Sequence, residues 1–79
     1  RGTGVTVADV SSRPDGDAVH IHVYGDRLPC SVHNELVSII RENRHRSIHF
    51  TVDYPAMLLL IRESIPREYY NELGVRKAA

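Results

Sequence analysis

The sequence has one cysteine, no surplus charge of either sign and no apolar run long enough to cross a bilayer. Each lack removes a class of function. The single thiol, Cys30, rules out an internal disulfide and any cysteine-rich metal motif. It suits a reducing compartment, and a cytoplasmic location is expected. Ten Lys and Arg balance ten Asp and Glu, so the cationic excess that a dedicated nucleic-acid binder brings to phosphates is missing. The longest apolar run, Ala56 to Ile61, falls far short of the roughly 20 residues that span a membrane, and no membrane partner is expected. There is no internal repeat, low-complexity tract or Gly-rich phosphate loop.

What is present is the composition of an ordinary globular domain: 79 residues, 42% hydrophobic and 25% charged, enough for a single domain. A chain of this length buries only about two thirds of its unfolded surface, so a second subunit is an expected source of stability. Met57 is the only methionine and the chain starts at Arg1, which fits a processed product or a piece excised from a larger polypeptide.

The spacing of apolar residues predicts the elements. Gly4 to Ser11, with Val5, Val7 and Val10, reads as a strand, and Arg13-Pro14-Asp15-Gly16 as a turn. Asp17 to Tyr24 alternates, placing Val19, Ile21 and Val23 on one face and His20, His22 and Tyr24 on the other. Gly25-Asp26-Arg27 breaks that strand. Ser31 is a candidate N-cap for a helix whose apolar stripe is Val32, Leu36, Ile39 and Ile40. Ser47 to Asp53 alternates again, with Ile48, Phe50 and Val52 inward and His49, Thr51 and Asp53 outward. Pro55 opens a second helix, Ala56 to Ser64, that is apolar nearly all round and therefore needs burial on more than one side. After Pro66, Arg67 to Leu73 reads as a last helical stretch closed by Gly74 as a left-handed cap.

The expected fold is an α/β (α+β) two-layer sandwich: a small three-stranded mixed sheet, in the order strand, strand, helix, strand, helix, helix, with the helices on one face. The crossover through the first helix makes the second and third strands parallel. The other sheet face is left open. The order of elements resembles that of the regulatory domains of sulfate transporters and anti-sigma-factor antagonists; the resemblance rests on no motif, and no function is carried over from it.

Three constellations are candidates for chemistry. The open face carries His20, His22, Tyr24, His49 and Thr51. Imidazoles two apart on a strand point the same way, so with Asp53 they have the donor types of a zinc or nickel site. A half-exposed face shared with a second copy accounts for the same residues without a metal, and no metal or cofactor is expected. Arg41, Arg44, His45 and Arg46 form a basic cluster at the end of the first helix, where the helix dipole favours cations and where phosphate groups of nucleic acid are an alternative partner. Cys30 at a helix start, with His33 one turn on, has the setting of an activated thiolate. Leu28-Pro29-Cys30 resembles small sulfur-transfer proteins but lacks the second proline their motif requires after the cysteine, so the family is not assigned.

The expected function is a protein–protein interaction or regulatory binding module, not an enzyme. It forms a homodimer through the open face (His20, His22, Tyr24, His49, Thr51) or through the second helix at Leu59 and Leu60. The alternatives are a nucleic-acid-binding accessory domain using Arg41, Arg44, His45 and Arg46, and a sulfur-transfer or redox enzyme dependent on Cys30. Because histidine titrates near neutrality, an interface lined by these imidazoles is expected to be sensitive to pH between about 5.5 and 7.

Overall fold

A computed structural model describes residues 6–12 and 16–76. Residues 13–15 of the expected turn lie outside the described residues. The strands at either side of it, β1 (Val7–Ser12) and β2 (Ala18–Tyr24), pair antiparallel as a hairpin, with Val10 opposite Ile21 and Ala8 opposite Val23. Gly25 ends β2 with φ +106°, a left-handed conformation, and a Cβ there would stand 2.7 Å from the Thr6 hydroxyl oxygen. That hydroxyl donates to the Arg27 carbonyl at 3.0 Å and ties the chain leaving β2 back to the start of β1. Gly25 therefore has both a conformational and a steric reason to be glycine.

Helix α1 (Cys30–Glu42) follows, and it corrects one expectation. Ser31 is not its N-cap; Pro29 occupies that position, no side chain caps it, and Ser31 lies inside the first turn. Proline's fixed φ of −62° with extended ψ already directs the chain into the helix. The buried stripe is Val32, Leu36 and Ile40, with Ile39 packed at its margin. Strand β3 (Ser47–Val52) then pairs parallel to β2, with His20 beside His49 and His22 beside Thr51. Val19, Ile21, Val23, Ile48, Phe50 and Val52 are all buried beneath the helices.

The second correction concerns the segment after Pro66. Only Arg67–Tyr69 is helical, as a single 3₁₀ turn, and the chain then extends into a fourth strand, β4 (Glu72–Val75), parallel to β3. The sheet has four strands in the order β1-β2-β3-β4. Local propensity gives way to pairing here because β3 would otherwise present a bare edge. Asn71 makes the junction. Its backbone N–H donates to the Ile48 carbonyl at 2.8 Å while its side-chain Oδ1 accepts from the Ile48 N–H at 2.8 Å. Tyr70 is buried edge-on against Phe50, with ring centroids 5.6 Å apart. Gly74 is consequently not a cap, since Gly25 is the only glycine with positive φ among the described residues. Asn71→Ala is expected to cost about 1–3 kcal/mol, because it leaves the Ile48 N–H without an acceptor. Equilibrium urea unfolding measures this, and a loss under about 0.5 kcal/mol would show that water replaces the side chain.

The fourth strand also changes the account of helix α2 (Pro55–Ser64), which has Pro55 in its first turn as expected. Met57 and Ile61 are fully buried, and Ile65 just after the helix is buried with them. Leu58 and Leu60 pack partly against the core, as does Leu73 of β4. Only Leu59, 56% exposed, is left outside. A three-stranded floor would leave this helix under-covered; the wider sheet takes up all but one leucine. Among the described residues no helix is long and apolar enough to cross a membrane.

Candidate functional site

The pleat and the register place most polar residues of the four strands on the sheet face opposite the helices. Residues paired across neighbouring strands share a face, so Asp9 and Ser11 of β1 lie beside His22 and His20 of β2. His49 and Thr51 of β3 continue the row, followed by Glu72 and Gly74 of β4. The five face residues singled out from the sequence, His20, His22, Tyr24, His49 and Thr51, are thus brought together. Leu59 and Leu60 are not with them, since they sit on α2 in the other layer.

The imidazoles do not converge on one point. His22 donates from Nε2 to Asp53 Oδ1 at 2.7 Å, and its ring lies tilted against Tyr24 with centroids 4.0 Å apart. His49 donates from Nδ1 to Glu72 Oε1 at 2.9 Å, and its ring stacks on His20 at 5.0 Å. A ring nitrogen that donates to a carboxylate has its tautomer set by that bond. Each of these two histidines is therefore oriented by an acid, and His20 is held by stacking. Among the described residues no group of three or more His, Cys, Asp or Glu is arranged to hold a metal ion. Asp53 was legible as a neighbour of the histidines. Glu72 was not, because its place on the face depends on β4.

The same face perturbs one ionisable group. The Asp9 carboxylate accepts from the Tyr24 hydroxyl and adds its negative charge, holding the phenol pKa above the ordinary tyrosine value; the nearby Arg76 charge opposes this. The raised value means that this bond stabilises the fold at pH below the ordinary tyrosine value, and that the contribution is lost as pH rises through the Tyr24 value. In an alkaline titration followed by the Tyr24 ring signals, Tyr24 is expected to ionise above the ordinary tyrosine value. Asp9→Asn is expected to bring it back down; an unchanged midpoint in that variant would exclude Asp9 as the cause.

The other candidates are placed elsewhere. Cys30 is exposed and free at the start of α1. His33 does not attend it, since its Nε2 donates to the Ser64 carbonyl at the end of α2, 3.2 Å away. Arg41 lies exposed in the last turn of α1, and His45 is exposed in the turn that follows. Arg44 and Arg46, from the same turn, line one cavity with Glu68, Tyr69 and Asn71. Those three partners were missed because their segment reads locally as a helix facing solvent.

No family model, curated protein or solved structure matches this chain.

Proposed function

We propose that the chain is a protein–protein interaction module that self-associates through the open face of its sheet. One observation carries the reading: both helices lie on one side of a four-stranded sheet, and nothing among the described residues covers the other side. A small domain with one half-covered sheet gains by closing a second layer over it. The residues there suit a contact of moderate polarity. Two imidazoles are already bonded to carboxylates, so their burial does not leave those ring N–H groups without partners. Gly74 supports the same reading. A strand interior disfavours glycine, and a Cβ added here would meet nothing within 4 Å. Its backbone does not need glycine either, whereas the close approach of another chain does.

A second copy is the partner preferred over an unrelated protein because a two-fold contact lets two identical open faces cover each other. The α2 surface is the weaker candidate, since only Leu59 of its leucines is exposed.

The test is solution mass by light scattering at micromolar concentration and two salt levels. Twice the chain mass of 8.9 kDa is expected, persisting in high salt. A monomer at every concentration up to about 100 μM would overturn the reading, since a useful self-interaction has a Kd in or below the micromolar range.

A further inference from the structure

We propose that Arg44 and Arg46, with Tyr69, form a binding site for a small phosphate monoester carried on an apolar or aromatic stem. This site is separate from the open sheet face and does not depend on it. Basic residues after a helix ordinarily serve its C-terminal carbonyls, but here that task is done by another residue. Asn43 donates its backbone N–H to the Ile39 and Ile40 carbonyls at 3.1 and 3.2 Å, and its side-chain Nδ2 to Ile39 again at 2.8 Å. Nor does either guanidinium form an ion pair among the described residues. The ion pairs among the described residues are His22 with Asp53 and His49 with Glu72, and neither arginine is in them.

The two arginines instead line a cavity of about 230 Å³ assembled from four parts of the chain. Ile40 from α1 and Ile48 from β3 lie at its base, both almost fully buried. Tyr69 from the 3₁₀ turn adds a half-exposed ring, and Asn71 adds an amide. The Asn71 oxygen is already committed to the Ile48 N–H, so what the side chain has left to offer is the donating NH₂.

The chemistry of this lining selects its ligand. Planar guanidinium forks bind oxyanions through paired hydrogen bonds, and two of them match the near-double charge of a phosphate monoester better than the single charge of a carboxylate. The half-exposed tyrosine ring calls for a hydrophobic or aromatic group next to that phosphate. Glu68 lines the same cavity without pairing to either arginine. Its oxygens accept from a hydroxyl on a small ligand, and it is the small volume of the cavity, not this charge, that separates such a ligand from the continuous polyanion of a nucleic-acid backbone. The volume lies just below the roughly 300–1,000 Å³ of drug-sized ligand sites, which suits a small molecule.

The experiment is an NMR titration of the intact ¹⁵N-labelled chain with phenyl phosphate, inorganic phosphate, phenol and a short single-stranded RNA. Phenyl phosphate is expected to give saturable shifts at the amides of Arg44, Arg46, Tyr69 and Asn71, and to bind about tenfold more tightly than inorganic phosphate. Arg44→Gln and Arg46→Gln are each expected to weaken it about tenfold or more. Tyr69→Ala is expected to abolish its advantage over inorganic phosphate. Arg41→Gln, a residue outside the cavity lining, is expected to change nothing. The proposal is overturned if phenyl phosphate does not saturate at millimolar concentration in the wild-type chain. It is equally overturned if Arg41→Gln weakens binding as much as the cavity variants do. RNA binding at these residues with a steep salt dependence, and no saturable phenyl phosphate binding, would mark the cluster as a nucleic-acid contact instead. The wild-type arms need no variant to fold.

Discussion

Phe50→Ala is expected to remove 3–5 kcal/mol of stability, the usual cost of truncating a buried phenylalanine. A 79-residue domain has about 4–12 kcal/mol in total by the per-residue range for native proteins, so this one change takes about a quarter of it or more. Phe50 is 2% exposed at the centre of β3, facing the helices between Ile21 of β2 and Leu73 of β4. Its ring receives the edge of Tyr70, and Tyr70 directly precedes the Asn71 junction that brings β4 to the sheet. Loss of the ring therefore opens a cavity and also removes what holds the start of β4 in place. Urea unfolding followed by circular dichroism measures the first effect, and hydrogen exchange at Leu73 and Val75 measures the second. Exchange at β4 that rises no more than at β2 would show that Tyr70 is held without Phe50. A total loss under about 2 kcal/mol would show that the helices close over the gap.

That linkage explains why some of this architecture was legible in the sequence and some was not. Strands β2 and β3 announce themselves because each alternates strictly through three apolar residues, and all six of those residues are buried. Helix α1 is legible for the corresponding reason, since Val32, Leu36 and Ile40 recur at helical spacing and end on one buried stripe. The open histidine face follows from the same alternation, seen from its other side. Strand β4 has no such signal. It is four residues long, contains a glycine and follows a 3₁₀ turn that Pro66 opens, so its local pattern fits a short helix and cap as well as a strand. What decides is the bare edge of β3, a tertiary fact with no imprint on residues 67–75. Glu72 was invisible for that reason, and so was the cavity that Tyr69 and Asn71 close around Arg44 and Arg46. The arginines follow a helix, so spacing alone assigns them to its dipole. The asparagine between helix and cluster is the residue that carries that role, and its side-chain bond to Ile39 is not deducible from spacing.

The self-association reading makes its sharpest prediction at Thr51 and Gly74, which lie side by side on β3 and β4 in the open face. Thr51→Arg is expected to weaken the dimer by roughly 30-fold or more, about 2 kcal/mol or above, as for a residue near the centre of an interface. The two-fold of a homodimer makes each substitution count twice, and each long cation then faces a copy of the same contact. The monomer should keep its fold, because Thr51 points away from the core and threonine is replaced on a half-exposed surface. Gly74→Val separates the two effects further. It relieves the cost of glycine in a strand, about 0.5–1 kcal/mol, and a Cβ has open space at this position, so the folded monomer should become more stable. The same side chain rises from the face where a partner must approach, so association should fall while stability rises. Leu59→Asp, on the far layer and 56% exposed, supplies the contrast, with stability changed by no more than about 0.5 kcal/mol and the dimer intact. Light scattering and thermal unfolding on the three variants give a joint outcome. If Leu59→Asp dissociates the dimer and the two face variants do not, the contact runs through α2 and the open face has another occupant.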